Sequence, residues 1–245
     1  MRRAVIIKVG KTFESLLPGA GDFEHWILAG MGMDRERAHV IHVCEGAPLP
    51  DYDAISGVII TGSHEMVTEQ LDWSERTAAW LPGLVERKIP VLGICYGHQL
   101  LAYAMGGKVG DNPLGRHFGT VNVELAPEAG EDLLFRELPN PVRFHVCHTQ
   151  CVLELPPDAL LLASNDKDRH QAFVVGDSAW GIQFHPEFNR TILREYIERY
   201  RKDLREEGQD PDKLIKESTE TSAGPEFLRR FAEIVEARKT SLEFE

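Results

Sequence analysis

Cys95 lies in the run Val91-Leu92-Gly93-Ile94-Cys95-Tyr96-Gly97, with apolar, β-prone residues before it and helically spaced residues 98–107 after it. A thiol on a sharp strand-to-helix elbow is held clear of the sheet, and glycines two residues to either side permit the tight backbone. The elbow also sets the sulfur at a helix N-terminus, where free N–H groups and partial positive charge favour an anion. The plainer reading of Cys95 is a small buried hydrophobe, the commonest fate of a free cysteine. A second cluster, Gly181-Ile182-Gln183-Phe184-His185-Pro186-Glu187-Phe188, ends an apolar strand. In extended chain, residues i and i+2 point the same way, so the His185 imidazole and the Glu187 carboxylate can sit together. Pro186 between them fixes φ and removes a competing donor. A thiol needs a base, and the base needs an orienting carboxylate; Cys95, His185 and Glu187 supply that set.

These residues need elements to position them. Residues 4–10, 38–44, 54–63 and 91–95 read as strands, and the near-continuous apolar runs suit strands covered on both faces. Residues 23–32, 73–88 and 98–107 read as helices between them, with Pro82 expected to break or kink the second. The alternation predicts an α/β fold with a mostly parallel central sheet flanked by helices. After Gly107 the texture changes to shorter strands at 117–125, 141–148, 159–164, 170–176 and 179–184, expected to pair antiparallel and to extend or flank the sheet. Residues 189–207 form a strong helical pattern with Asn189 as N-cap. The division expected is an enzyme domain over 1–207 and a C-terminal helical extension over 208–245. In that extension Phe227, Leu228, Phe231, Ile234 and Val235 form one apolar face at helical spacing. This face either packs within the chain or serves a homodimer.

The chain has 245 residues, 42% hydrophobic and 27% charged, with net charge −12. Such an acidic balance argues against nucleic acid or an anionic membrane as partner, because phosphate binding needs a basic surface. No apolar run approaches the ~20 residues of a spanning helix. Lys8 and Lys11 interrupt the N-terminal apolar run and no small-residue cleavage site follows, so a first strand and a cytoplasmic location are expected. Four cysteines, Cys44, Cys95, Cys147 and Cys151, are too few for a disulfide framework at this length. His145, Cys147, His148 and Cys151 suggest a metal, but strand alternation separates His148 from His145 and Cys147, and no second pair has zinc spacing. Neither a metal nor a cofactor is expected.

The two motifs together resemble the class I glutamine amidotransferase family of the cysteine–histidine–glutamate type, most nearly standalone proteins similar to the amidotransferase domain of GMP synthetase. The resemblance runs from the first strand to about residue 200 and implies a flavodoxin-like fold. It further implies that Cys95 attacks the carboxamide carbon of glutamine to form a thioester, that His185 moves the proton, and that Glu187 holds its tautomer. The oxyanion would be met by the Tyr96 backbone N–H and by an N–H of Gly62 or Ser63. Relatives usually carry Gly-Gly-Pro where this chain has Thr61-Gly62-Ser63. Gln99 matches the glutamine that holds the amino-acid end of the substrate. His148, Thr149 and Gln150 fall where relatives have a Ser-His-x-Asp-like segment, and Gln150 replaces the acid.

Three functions follow. The first is hydrolysis of the glutamine side-chain amide, with ammonia released to an acceptor or to a synthetase partner. The second is a standalone γ-glutamyl peptidase or hydrolase using the same triad, which the altered loops at 62–66 and 149–150 favour slightly. The third is a non-catalytic regulatory module, which a missing triad member would have supported.

Overall fold

Strand β1 (Arg3–Lys8) opens a computed structural model that describes residues 2–243, with side chains described to residue 240. Its alternate residues face opposite ways: Ala4 and Ile6 enter one apolar core, Val5 and Ile7 the other. β2 (Ala38–His42) and β3 (Ile55–Ile60) pair parallel with β1, and β4 (Val91–Ile94) pairs parallel with β3. The connections carry the short α1 (Leu17–Ala20), α2 (Phe23–Met31) and α3 (Asp72–Glu86). After β4 come α4 (Tyr96–Ala104), β5 (Lys108–Asp111), β6 (His117–Leu125), β7 (Val142–His148), β8 (Gln150–Glu154), β9 (Ala159–Asn165), β10 (Asp168–Val175) and β11 (Ala179–Ile182). The nine-stranded sheet has the order β2-β1-β3-β4-β11-β10-β9-β6-β7, and β5 pairs with β8 beside it. Its parallel half ends where β11, parallel to β4, meets antiparallel β10. The parallel order matches the flavodoxin-like arrangement, in which sites form beyond the carboxyl ends of the strands.

Pro82 does not break its helix. Its missing N–H removes one bond within α3, but Ala78, Leu81 and Leu84 on the buried face keep that helix packed on the core. The pattern over 189–207 divides into α5 (Arg190–Arg199) and α6 (Arg201–Glu206), with Tyr200 at φ −92° and ψ 13° between them. The Asn189 side chain accepts from the Ile192 N–H at 2.9 Å, as an N-cap should. Strands β5 and β8 and helix α7 (Pro211–Glu217) went unread in the sequence, being short and weakly patterned.

The final helix, α8 (Ala223–Glu243), lays Phe227, Leu228, Phe231 and Val235 into the core beneath β1, β3 and β4. That apolar face packs within the chain. Two glycines make room for it: a Cβ at Gly30 would lie 2.3 Å from Leu228, and one at Gly57 2.4 Å from Val235. Near the start of the helix, Gly224 approaches Pro186, where a Cβ would lie 2.3 Å from the carbonyl oxygen. Among the described residues, no helix is long and apolar enough to cross a membrane.

Candidate active site

Ile94 and Ile182 are register partners in parallel strands, so the chain after each leaves the same edge of the sheet. Cys95 follows β4 at once, and its N–H donates to the Ile182 carbonyl at 2.8 Å. Its φ of 51° and ψ of −96° lie outside the comfortable regions for a side-chain-bearing residue. The turn closes because a Cβ at Gly93 would sit 2.3 Å from the Gly97 carbonyl oxygen, and one at Gly97 2.6 Å from that of Ile60. Glycine is required at both positions by close approach of backbone.

His185 lies three residues past β11, and its N–H donates to the His145 carbonyl at 2.8 Å. Its Nδ1 meets Glu187 Oε1 at 2.8 Å, and its ring stacks on Phe188 with centroids 4.1 Å apart. The Cys95 thiol donates to the Cys147 carbonyl at 3.8 Å, and its sulfur is among the neighbours that act on the same imidazole. Burial alone would push the His185 pKa down; the Glu187 carboxylate and the Cys95 sulfur outweigh it and hold the imidazole up at about 10. Both side chains of the His185–Glu187 pair are almost wholly buried. Nδ1 facing the carboxylate leaves Nε2 for the open side of the ring.

The loop after β3 closes the opposite side. The Thr61 hydroxyl accepts from the Val9 N–H at 3.1 Å and donates to the Gly62 carbonyl at 3.0 Å. In a planar trans peptide, that clamp turns the Ser63 N–H the other way. Ser63 borders the cleft, while Gly62 packs under His185, where a Cβ would lie 3.3 Å from Cε1. Tyr96 contributes the first backbone N–H of α4 and anchors its phenol to Ser74 Oγ at 2.7 Å.

Gln99, His148, Thr149 and Gln150 form the wall on the α4 side of the cleft. Gln99 donates both amide hydrogens within the protein, to the Gln150 carbonyl at 2.8 Å and to Gln183 Oε1 at 3.0 Å. Only its oxygen remains for a ligand. His148 Nδ1 lies 2.9 Å from the Gln150 carbonyl, and Nε2 lies 3.8 Å from buried Asp168. Burial lowers the His148 pKa, although Asp168 opposes it. The Gln150 amide donates to Thr68 Oγ1 at 2.8 Å and to Asp111 at 3.0 Å, while its carbonyl is buried without a partner among the described residues.

The cleft also contains residues the sequence did not single out, Phe23, Phe118, Tyr196 and Tyr200, together with Cys147, weighed only as a metal ligand, and His64 and Glu65 from the already flagged loop. Tyr196 and Tyr200 are four apart on the helical pattern, the spacing of one face. Nothing in one sequence says that this face meets Cys95. Among the described residues, no group of three or more histidine, cysteine or acidic side chains is arranged to hold a metal ion.

A family model described as "Glutamine amidotransferase class-I" matches residues 34–200. "Gamma-glutamyl peptidase 5" of Arabidopsis thaliana is 33% identical over 184 residues, 73% of each chain. A GMP synthase (glutamine-hydrolyzing) of Bacteroides fragilis is 32% identical over 59% of this chain but only 28% of its own length. In fold, the crystal structure of a glutamine amidotransferase from Thermotoga maritima superposes with a TM-score of 0.76 at 24% identity, covering 96% of this chain and 99% of that one.

Proposed function

Since the chain belongs to the class I glutamine amidotransferase family, we propose that it hydrolyses the γ-amide bond of a glutamyl substrate through a thioester on Cys95. The observation that carries this is the meeting of the three side chains at one sheet edge: Cys95 and His185 line one cleft beyond paired strands, and His185 Nδ1 lies 2.8 Å from Glu187. Cys95 sulfur attacks the γ-carbonyl carbon, and the oxygen takes up charge against the N–H groups of Tyr96 and Ser63. His185, already the proton holder, passes its proton to the departing nitrogen as the C–N bond breaks. Water then attacks the thioester, glutamate leaves, and the proton returns to the Cys95–His185 pair. Gln99, His148, Thr149 and Gln150 line the end that receives the glutamyl group.

With glutamine the leaving group is ammonia, available to an acceptor or to a synthetase partner. A second reading, a γ-glutamyl peptidase, is favoured by coverage. The Arabidopsis peptidases match over 73–82% of their length, the GMP synthase over 28%.

The test is capture of the intermediate. Acid quenching during turnover of glutamine or a γ-glutamyl dipeptide should leave one glutamyl group on the peptide containing Cys95. A wild-type protein that turns over without that adduct, or a Cys95→Ala variant as active as wild type, removes the assignment.

A further inference from the structure

A leaving group departs on the side of the acid that protonates it, so the surroundings of His185 define where the second half of the substrate must fit. Those surroundings are aromatic and continuous. Phe188 stacks on His185 at 4.1 Å, Tyr196 lies 4.9 Å from Phe188, and Phe13 lies 4.9 Å from Tyr196. The His64 ring is tilted against Phe13 at 4.3 Å and stacks on Tyr196 at 5.7 Å, and Phe118 meets Tyr200 at 5.2 Å. His64, Phe118, Tyr196 and Tyr200 all border the cleft that holds Cys95. Ammonia needs none of this surface.

The cleft also has an electrical direction. On the wall formed with Gln99 the side-chain Oε1 of Gln150 is buried without a partner among the described residues, and Glu65 borders the same cleft. Both suit the α-ammonium of a glutamyl group. At the aromatic end, exposed Arg199 holds its guanidinium 5.3 Å from the centre of the Phe13 ring and is felt electrostatically by His64. Among the described residues it has no carboxylate within ion-pairing distance, unlike its neighbour Arg201, which is held by Glu198 and Asp212. His64 Nε2 is likewise buried without a partner.

We propose that His64, Phe118, Tyr196 and Tyr200 form a subsite for the amine half of a γ-glutamyl peptide, with Arg199 at its rim receiving that half's carboxylate. This rests on Cys95 being the nucleophile. The chemistry is hydrolysis: a sulfur–carbon bond forms as the γ-C–N bond breaks, the amine leaves with the His185 proton, and water releases glutamate and restores the thiol. Apolar leaving groups are preferred, and those ending in a free carboxylate most of all.

The experiment compares kcat/KM on glutamine, γ-glutamyl-phenylalanine and the C-terminal amide of that dipeptide, for wild type, Arg199→Gln and Cys95→Ala. Burying a phenylalanine side chain should favour the dipeptide over glutamine by at least about tenfold. The free carboxylate should be preferred over the amide by about fivefold, as an exposed ion pair allows, and Arg199→Gln should bring that ratio close to one. Calorimetric binding of the dipeptide to Cys95→Ala should show the same dependence on the carboxylate. Turnover of glutamine at least as efficient as of the dipeptide, or a carboxylate ratio that Arg199→Gln leaves unmoved, overturns the subsite while the nucleophile stands. No difference between wild type and Cys95→Ala on any substrate overturns both.

Discussion

Cys95 and His185 follow two strand residues, Ile94 and Ile182, that are register partners in neighbouring parallel strands. The long stretch of chain between Cys95 and His185 is thus bridged by one sheet register. A slip of one residue would turn every side chain of β11 to the other face. Close packing of Ile94, Ile182 and Trp180 in one core makes such a slip costly. The precision of the site is therefore inherited from the sheet, not from the loops that carry its side chains.

On the proposed mechanism the His185–Glu187 pair should set the alkaline limit of activity. His185 is held up at about 10, so the proton needed by the departing nitrogen is lost only as pH rises through that value. Replacing Glu187 by Gln removes the charge that raises it, and the upper limb of the kcat/KM profile should move down by about 1–3 pH units. At neutral pH, kcat should fall by about 10²–10⁴-fold. An upper limb that stays in place while kcat falls would show that Glu187 acts by packing alone.

Backbone strain at Cys95 gives a stability signature independent of activity. A side-chain-bearing residue at φ 51° and ψ −96° is strained by about 1–3 kcal/mol. Glycine relieves this and alanine does not. Cys95→Gly should be more stable than Cys95→Ala by about 1 kcal/mol in urea unfolding, reversing the usual order of the two residues. Equal stability would mean that the elbow is unstrained.

The elbow, the His-Pro-Glu turn and the parallel half of the sheet were legible because each leaves a local mark: paired glycines, an i,i+2 pair, apolar runs alternating with helices. Asn189 announced its helix in the same way. What was hidden depends on contacts distant in sequence. Lys8 looked like a polar interruption; it is buried at the end of β1 between Asp22 at 2.5 Å and Glu24 at 2.6 Å. Pro82 looked like a helix breaker until the packing around it was known. The aromatic wall joins Phe13, His64, Phe118 and Tyr196 from four separate segments, and no spacing links them. Gln99 was legible as a candidate and does line the cleft, but its spacing did not tell that both its amide hydrogens are already used.

Gly224 ties the last helix to the chemistry. Its missing Cβ lets α8 approach to where a methyl group would stand 2.3 Å from the Pro186 carbonyl, between His185 and Glu187. Gly224→Ala must displace that turn or the helix. Expected are a loss of about 1–3 kcal/mol in stability, as for overpacking elsewhere, and a fall in kcat larger than any change in KM. A variant as active and as stable as wild type would show that the turn has slack.

Buried histidines should make the protein sensitive to mild acid. Burial is the main cause holding His98 down to about 3, His117 to about 2 and His145 to about 4, against an ordinary 6.5. Depressed bases take up protons only on unfolding, so stability is full above pH 6.5 and drains as pH falls toward the folded-state values. Each group contributes a loss of about 2 kcal/mol by pH 5. His185 has the opposite sign: its contribution is complete below 6.5 and vanishes as pH rises through about 10, so it does not offset the acid loss. His117 is the cleanest probe, because its Nδ1 is buried without a partner among the described residues and its ring sits 5.2 Å from His148, outside the Cys95–His185–Glu187 set. Denaturant unfolding of His117→Phe should show about 2 kcal/mol less stability lost between pH 7 and pH 5 than wild type. A loss identical to wild type would mean that His117 is already protonated in the folded protein, with an acceptor or water reaching its ring.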